Sequence, residues 1–192
     1  MKRIILASAS PRRRELLEQI GMKFEVIPSQ GEEIITCSRP EEVVCELSGQ
    51  KAYEVAGRLK DGQESFVIGA DTVVCQDGKI MGKPKDREDA IRMIEQLQGR
   101  THAVFTGVTI LSSAPGQETV CSSFVCKTEV EVYPMAGEEI ESYVDTGEPM
   151  DKAGAYGIQG RFAAWVREIR GDYNNVVGLP VSAIWQALKQ MM

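Results

Sequence analysis

The sequence predicts an α/β fold with a mixed sheet, on two observations. Strand and helix patterns alternate near both ends of the chain, whereas the middle holds two long β-rich runs, 102–111 and 120–132. Helices that alternate with strands cover the faces of a sheet, and consecutive strands extend it. The 192 residues are enough for a single domain over 1–192, and we expect this domain to form two lobes around one cleft.

The first elements are predicted from residue type. Residues 3–7 form a short run rich in β-branched side chains, which predicts a buried strand. Ser10 is suited to the N-cap and Pro11 to the first position of a helix, which we expect to end at Gly21. Residues 24–27 alternate loosely and predict a second strand.

A polar connection at 30–39 separates these elements from a long helix. Pro40 is suited to open that helix, and apolar residues then recur along it at helical spacing. We expect the helix to exit at Asp61–Gly62, because glycine readily adopts the backbone conformation that follows a helix.

The next predicted strand, 66–74, is strongly apolar but contains small and polar residues. We interpret Gly69 and the pair Asp71–Thr72 as interruptions of the strand. A carboxylate there is costly unless it is paired or binds a metal, so Asp71 is a candidate functional residue. The structural alternative is an aspartate that is hydrogen bonded to backbone at a strand end. Asp77–Gly78 then predicts a hairpin turn.

The remaining elements follow from the same signals of spacing, turn residues and helix caps. In chain order we predict a tight turn at Gly82–Lys83–Pro84, a helix at 86–98, strands at 102–111 and 120–132 with a turn at 112–117, a helix at 138–144, a glycine-rich loop at 148–160, a strand at 162–169, a polar loop at 171–178 and a helix that begins at Pro180.

Composition disfavours several classes of function. Hydrophobic residues make up 43% and charged residues 26% of the chain, as in ordinary globular proteins, and the net charge of −6 disfavours a nucleic-acid partner. No stretch approaches the roughly 20 apolar residues of a membrane span, and the N-terminal apolar run is too short for a signal peptide. The five cysteines form no CxxC pair. Together these features predict a cytoplasmic protein with reduced thiols and no membrane partner.

The turn at 8–13 is a candidate anion site. A strand there feeds a helix N-terminus, whose N–H groups and dipole favour a negative charge. Arg12 and Arg13 add forked donors that suit a phosphate, and Ser8 and Ser10 belong to the same turn. An ordinary capped helix with solvated arginines is the alternative interpretation.

Carboxylates and lysines elsewhere in the chain could complete such a site. Mg²⁺ is usually held by one or two carboxylates and by substrate phosphates, and Asp71 could be joined by Glu32 or Glu33 from the polar connection. A single lysine is more often a surface residue than a site residue. Three lysines are nevertheless candidates to offset phosphate charge: Lys51, Lys83 and Lys152.

The most informative segment is 148–160, EPMDKAGAYGIQG, in which two acids, a lysine, a glutamine and three glycines share thirteen positions. Neither the helix period nor the strand period fits it. Glycine lets a ligand come close to the backbone, so a polar loop of this kind is suited to a charged ligand with hydrogen-bonding groups. A nucleotide would meet that description.

Five motifs occur in a characteristic order along the chain. They are SASPRR at 8–13, GADTVV at 69–74, GKP at 82–84, EPMDKAGAYGIQG at 148–160, and GDY at 171–173 followed by NVVGLP at 175–180. Each motif alone is weak, but the five together are specific. From Ile4 to the final helix, the chain resembles the Maf family of nucleoside triphosphate pyrophosphatases.

The resemblance implies hydrolysis of a nucleoside triphosphate to the monophosphate and pyrophosphate with a divalent metal cation, Mg²⁺ or Mn²⁺. It also implies an elongated fold of two lobes with a central cleft, similar to inosine triphosphate pyrophosphatases, and often a cytoplasmic homodimer. The family's acid falls on Asp71, which is usually assigned as the proton acceptor. We expect Asp71 to hold the metal together with Glu33.

Finer features resemble the family members that act on dTTP and UTP. Arg13, Thr72 and Gln159 match the residues that characterise those members, and Glu33 matches their carboxylate after the second strand. The amide of Gln159 offers both a donor and an acceptor to the edge of uracil or thymine. The resemblance therefore implies dTTP and UTP as substrates, with modified pyrimidine nucleotides as further candidates.

The expected substrate-binding residues, beyond those three, are Ser8, Ser10, Arg12, Lys51, Lys83 and Lys152. Two alternative functions stay open. One is the same chemistry on another base, and the other is a nucleotide-binding regulator of cell division or septum formation. The pair of Glu33 and Asp71 favours an enzyme, because binding alone does not require a placed base.

Overall fold

A computed structural model describes residues 2–59 and 64–192. Its helices and strands, in chain order, are β1 (Arg3–Leu6), α1 (Pro11–Gln19), β2 (Glu25–Val26), α2 (Pro40–Arg58), β3 (Ser65–Gln76), β4 (Lys79–Met81), α3 (Arg87–Leu97), β5 (Thr101–Ser113), β6 (Val120–Val132), α4 (Gly137–Val144), β7 (Val166–Arg170), α5 (Tyr173–Val177) and α6 (Val181–Met191). Short 3-10 helices occupy Glu148–Asp151, Ala153–Ala155 and Arg161–Trp165.

Seven strands form one mixed sheet in the part of the chain that the structure describes. Six of them follow the order β2-β1-β3-β5-β6-β7, and β4 pairs with β3. Strand β1 is parallel to β2 and β3, whereas β4 is antiparallel to β3 and β7 is antiparallel to β6. The predicted α/β fold with a mixed sheet is therefore confirmed.

Contacts between Cα atoms divide the chain into two compact units. The first unit comprises Met1–Asp71, Thr106–Cys126 and Gly178–Met192, and the second comprises Thr72–Phe105 and Lys127–Val177. Strands β3, β5 and β6 contribute residues to both units. The boundary within β3 falls directly after Asp71, so the candidate catalytic aspartate belongs to the first unit.

Two glycines allow α2 to pack directly on the sheet of the first unit. A Cβ atom at Gly69 in β3 would overlap the backbone oxygen of Ser48 and the backbone nitrogen of Ala52, and a Cβ atom at Gly107 in β5 would overlap the backbone of Val44. The backbone of α2 thus lies closer to these strands than any side chain would permit. The buried core next to this contact consists of Ile5, Ala7, Ala52, Val55, Val67 and Leu111.

An aromatic cluster stabilises the second unit and includes part of the glycine-rich loop. The ring of Phe162 lies 4.6 Å from that of Tyr156, 5.2 Å from that of Tyr143 and 5.9 Å from that of Trp165. The imidazole of His102 packs edge-on against Tyr156 and shares a 2.7 Å hydrogen bond between Nε2 and the phenol oxygen. Tyr156 therefore anchors the middle of the loop in the core.

Burial of His102 should make the stability of the protein depend on pH. Desolvation lowers the pKa of His102 to about 4, and its Nδ1 atom has no hydrogen-bond partner among the described residues. The folded protein therefore favours the neutral imidazole of His102. Its contribution to the free energy of unfolding is fully present above about pH 6.5 and is lost as the pH falls towards 4. The expected loss is about 3 kcal/mol in the free energy of unfolding.

Chemical denaturation of the wild type and of His102→Gln between pH 7 and pH 4 measures this contribution. The variant can still bond the Tyr156 hydroxyl but carries no titrating group, so its stability should fall less steeply over that range. Parallel pH curves for the two proteins would show that His102 does not titrate in this way.

Most of the predicted elements agree with the structure. Strand β6 has the predicted bounds, and the helices predicted at 86–98 and 138–144 correspond to α3 and α4. Asp77 and Gly78 both have positive φ, 51° and 76°, as a tight hairpin turn between β3 and β4 requires. The predicted helix exit at Asp61–Gly62 lies outside the described residues.

Several local predictions were wrong. Strand β3 runs without interruption from Ser65 to Gln76, because Gly69 provides close packing and is not a break. The segment 82–84 is an irregular connection, and the bend follows it at 85–86. The segment 162–169 begins as a 3-10 helix before β7, and helix α5 lies within the supposed loop 171–178. None of the described helices is long and apolar enough to cross a membrane.

Candidate functional site

The turn between β1 and α1 is organised by its own polar side chains. The buried Ser8 hydroxyl accepts hydrogen bonds from the Ser10 N–H at 3.3 Å and from Arg13 Nη1 at 3.2 Å. Arg13 Nε also donates to the carbonyl oxygen of Gly178 at 2.9 Å. Ser10 occupies the predicted N-cap position without a side-chain capping hydrogen bond. Ser8 therefore shapes the turn, and Arg13 is fixed beside it.

A lysine ammonium joins the two candidate metal-binding carboxylates in the first unit. Lys51 Nζ lies 2.5 Å from Asp71 Oδ1 and 2.9 Å from Glu33 Oε1. The side chains of Lys51 and Asp71 are only 16% and 14% exposed, whereas that of Glu33 is 55% exposed. The cost of placing Asp71 in an apolar strand is thus offset by an ion pair.

The close approach of α2 to β3 explains why this ion pair forms. Lys51 directly precedes Ala52, the helix residue that packs against Gly69. Asp71 lies two positions after Gly69, so both residues point to the same face of β3. The contact at Gly69 therefore brings the ammonium of α2 within reach of the carboxylate of β3.

Side chains of α2 also hold the irregular segment that carries Glu33. Three residues at successive i, i+4 positions, and hence on one face of the helix, bond the backbone of this segment. Glu54 accepts from the Gln30 N–H at 3.3 Å, Gln50 accepts from the Ile34 N–H at 3.0 Å and donates to the Ile34 carbonyl at 2.5 Å, and Glu46 accepts from the Thr36 N–H at 2.9 Å. The exposed Glu33 is positioned through these bonds.

The electrostatic field links Arg13 to the same cluster. Burial lowers the pKa of Arg13. The negative charges of Asp71 and Glu33 act in the opposite direction and raise it, and Asp71 has the larger effect of the two. The positive charge of Arg12 lowers the pKa of Arg13 further. Arg12 itself is half-buried. Arg12, Arg13, Glu33, Lys51 and Asp71 thus form one charged neighbourhood within the first unit.

The donor set suits a divalent cation bound together with a phosphate. The two carboxylates that face the Lys51 ammonium offer oxygen ligands of the kind that a divalent cation takes. Residues 2–59 and 64–192 contain no cluster of three or more His, Cys, Asp or Glu residues that could hold a metal ion by themselves. Mg²⁺ often takes one or two carboxylates and completes its coordination with phosphate oxygens and water, so Glu33 and Asp71 fit that mode.

The other predicted substrate-binding residues belong to the second unit. Thr72 is half-buried, whereas Lys83 and Gln159 are exposed. A hydrogen bond of 3.0 Å from the Gly154 N–H to the carbonyl oxygen of Gly82 joins the loop that carries Gln159 to the segment that carries Lys83. The positive φ of 69° at Gly154 and the side chain of Val74 beside it restrict this position to glycine.

Lys152 bonds mainly to its own loop. Its Nζ atom donates to the carbonyl oxygen of Glu148 and to Asp151 Oδ1, both at 2.6 Å. Its side chain is 16% exposed and packs where a Cβ atom at Gly157 would otherwise lie. These contacts use two of its three ammonium donors, so Lys152 stabilises the loop in addition to its predicted role with phosphate.

Sequence reasoning missed Glu148 as an anchor of the glycine-rich loop. Its Oε1 atom accepts from the Tyr143 hydroxyl at 3.0 Å, and its Oε2 atom accepts from the Arg161 N–H at 3.0 Å. The Tyr143 oxygen in turn accepts from the Gly157 N–H at 3.3 Å. Burial raises the pKa of Tyr143, and the charge of Glu148 adds to the increase, so this hydroxyl remains a donor. The bonds span 157–161 and therefore enclose Gln159.

Comparisons with known proteins identify relatives of this chain. A relative from Agathobacter rectalis named dTTP/UTP pyrophosphatase is 54% identical over 201 aligned positions, which cover 100% of this chain and 98% of the relative. A relative of the same name from Carboxydothermus hydrogenoformans is 48% identical over 188 positions, which cover 98% of each chain. The solved structure of the Staphylococcus aureus Ham1 protein aligns over both complete chains with a TM-score of 0.50 and 16% identity, which supports the fold.

The family assignment follows from the extent of the match. The family model described as "Maf-like protein" matches residues 3–191, and these residues include every candidate site residue named above. The two relatives, which are 54% and 48% identical to this chain and align over at least 98% of each sequence, support the same assignment. This chain therefore belongs to the Maf family.

Proposed function

We propose that this protein is a nucleoside triphosphate pyrophosphatase that hydrolyses dTTP and UTP to the monophosphate and pyrophosphate. The relatives named dTTP/UTP pyrophosphatase match it over almost its whole length. The observation that carries the proposal is the pair of Glu33 and Asp71 around the Lys51 ammonium, because two such carboxylates can hold a divalent metal and supply a placed proton acceptor.

Hydrolysis of a triphosphate is limited mainly by charge, since anionic phosphates repel the attacking oxygen. Positioned cations reduce this barrier, and the protein contributes little covalent chemistry of its own. In the proposal, the turn of Ser8 and Ser10 with Arg12 binds phosphate oxygens at the N-terminus of α1. Lys51, Lys83 and Lys152 offset the charge that develops on the leaving pyrophosphate.

Glu33 and Asp71 are the residues that would hold the divalent metal, Mg²⁺ or Mn²⁺. When bound, such an ion polarises phosphoryl oxygens and neutralises part of the triphosphate charge. Lys51 already satisfies one oxygen of each carboxylate, Asp71 Oδ1 and Glu33 Oε1, and so keeps both groups oriented.

The proton transfer is assigned to Asp71. A water oxygen forms a bond to the α-phosphorus while the bond from that phosphorus to the α–β bridging oxygen breaks, and its electron pair leaves with pyrophosphate. The water proton passes to the carboxylate of Asp71, which is the general base. The hydrogen bond from Lys51 fixes the direction in which that carboxylate points.

Base selection is assigned to Gln159, with Arg13 and Thr72. The Gln159 side chain is exposed, and its amide offers a donor and an acceptor that can pair with two adjacent groups of uracil or thymine. A pocket that accepts both bases also accepts the 5-methyl group and discriminates little at the 2′-hydroxyl. Modified pyrimidine nucleotides are further proposed substrates, and the cytoplasmic location and the homodimer stay predictions.

Release of pyrophosphate from a panel of nucleoside triphosphates, with Mg²⁺ and separately with Mn²⁺, tests the proposal. We expect UTP and dTTP to be the best substrates and activity to disappear with a chelator. Preference for a purine nucleotide or CTP would contradict the assigned bases. Tight binding of UTP without release of pyrophosphate would support the alternative of a nucleotide-binding regulator.

Gln159→Glu should weaken the use of both pyrimidine nucleotides, because a carboxylate supplies no hydrogen-bond donor. We expect kcat/KM for UTP and dTTP to fall by about tenfold or more, since an unpaired polar group then faces the base. Gln96→Glu, an exposed change of the same kind on α3, is the matched control and should have no effect. Equal kinetics for the wild type and Gln159→Glu would exclude Gln159 from base recognition.

A further inference from the structure

We propose that Glu148 is a positioning residue for base selection and that its carboxylate sets the location of Gln159. This inference rests on the proposed role of Gln159 in binding the base. It adds a residue that touches neither the triphosphate nor the reacting water in the proposed mechanism. All the contacts that connect Glu148 to Gln159 lie within the second unit.

Glu148 holds the loop on both sides of Gln159. One carboxylate oxygen accepts from the backbone N–H of Arg161, two residues after Gln159. The other accepts from the Tyr143 hydroxyl, whose oxygen accepts from the backbone N–H of Gly157, two residues before Gln159. A five-residue segment is therefore fixed at both ends, and the exposed side chain of Gln159 projects from its centre.

Two glycines make room for this anchor. A Cβ atom at Gly160 would overlap the Glu148 carboxylate itself, and a Cβ atom at Gly157 would overlap the side chain of Lys152. Neither glycine has a positive φ, so the requirement comes from close packing and not from backbone conformation. The loop is thus shaped around the side chains of Glu148 and Lys152.

A buried ring and a hydrogen bond within its own turn hold Glu148 in place. Tyr143 is 2% exposed, and its ring packs 5.2 Å from that of Phe162 and 6.0 Å from that of Trp165. Lys152 Nζ donates to the Glu148 carbonyl at 2.6 Å, which closes the turn that presents the carboxylate. A buried aromatic residue and a closed turn therefore determine where the two carboxylate oxygens lie.

The charge of Glu148 is not what this role requires. Glutamine could accept from the Arg161 N–H through its carbonyl oxygen and donate to the Tyr143 oxygen through its amide, so both connections would survive. Methionine has a similar length but would lose both connections. A positioning role therefore predicts that Glu148→Gln is nearly neutral and that Glu148→Met is not.

The experiment compares the full-length wild type with Glu148→Met, Glu148→Gln and Tyr143→Phe. Glu138→Met, at an exposed position of α4 in the same unit, is the matched control. For each protein we measure kcat/KM for UTP and for CTP. We also measure amide hydrogen exchange across 157–161 and across β6 without nucleotide.

We expect Glu148→Met to lower the UTP-to-CTP ratio of kcat/KM by about tenfold, because a misplaced amide no longer distinguishes the two bases. Its amides at 157–161 should exchange faster while those of β6 stay protected. Tyr143→Phe should change both measurements in the same direction by a smaller factor, and Glu148→Gln should keep both near wild type. Glu138→Met should change neither.

The inference is overturned if exchange at 157–161 is unchanged in Glu148→Met, or if kcat/KM falls equally for UTP and CTP. It is also overturned if Glu148→Gln is as defective as Glu148→Met, since the charge would then be the essential feature. A wild type that does not prefer UTP to CTP would instead contradict the proposed function. Hydrogen exchange would still decide, in that case, whether Glu148 holds the loop.

Discussion

Replacement of Asp71 by Asn should reduce the turnover of UTP at saturation by roughly 100-fold or more, which is the range for loss of a positioned general base. The amide has the shape of the carboxylate, and its oxygen can still accept the hydrogen bond that Lys51 now donates to Oδ1. The variant therefore loses the negative charge and the proton acceptor while the packing of β3 is kept. Steady-state release of pyrophosphate at saturating UTP and metal measures the effect.

The chain offers a matched control for this substitution directly after the same strand. Asp77 follows β3 in the hairpin turn, is exposed and pairs with Arg100 at 2.8 Å. Asn readily adopts the left-handed conformation that Asp77 has, so Asp77→Asn removes one surface ion pair and little else. We expect its turnover to equal that of the wild type. Turnover of Asp71→Asn at the wild-type rate would remove Asp71 from its assigned role.

The candidate site could be predicted from the sequence where a residue was chemically conspicuous. Asp71 is the one charged residue of the strongly apolar segment 66–74, and Glu33 follows the second strand in a polar connection. Their common partner, Lys51, was a candidate only as one lysine among several. The ion pair depends on how closely α2 approaches β3, and that distance is a tertiary property that no residue spacing along the chain expresses.

The hydrogen bonds that hold the segment carrying Glu33 were harder to predict than the charged residues of the site. Glu46, Gln50 and Glu54 are spaced as one face of α2, which is the signal that could have been noticed. Their partners are backbone groups of an irregular segment, however, and an irregular segment has no period. Side-chain to backbone bonds of this kind leave no trace in hydrophobic patterning.

In the second unit, too, the sequence pattern did not predict the secondary structure of two segments. Residues 162–169 are rich in apolar and aromatic side chains and were predicted as a strand. Phe162 is instead fully buried in an aromatic cluster, and its packing favours a 3-10 helix there. Helix α5 was missed because its five residues are too few for a helical period to be recognised. At Phe162, tertiary contacts override the local propensity for a strand.

Replacement of Gly69 by Ala should both destabilise the protein and separate Lys51 from Asp71. The added methyl group would overlap backbone atoms of Ser48 and Ala52, which cannot rotate away as a side chain could. Either α2 or β3 must move, and overpacking of this kind costs about 1–3 kcal/mol of unfolding free energy. Because Lys51 directly precedes Ala52, the same movement should lower turnover of UTP by about tenfold.

A glycine of α2, Gly57, separates this steric effect from the effect of a glycine-to-alanine change as such. A Cβ atom at Gly57 would meet no atom within 4 Å, so Gly57→Ala should stabilise the helix by about 0.5–1 kcal/mol and leave turnover unchanged. Chemical denaturation and UTP turnover of both variants give the two effects independently. If Gly69→Ala were as stable and as active as the wild type, α2 would not need this close approach, and the contact at Gly69 would not explain how Lys51 reaches Asp71.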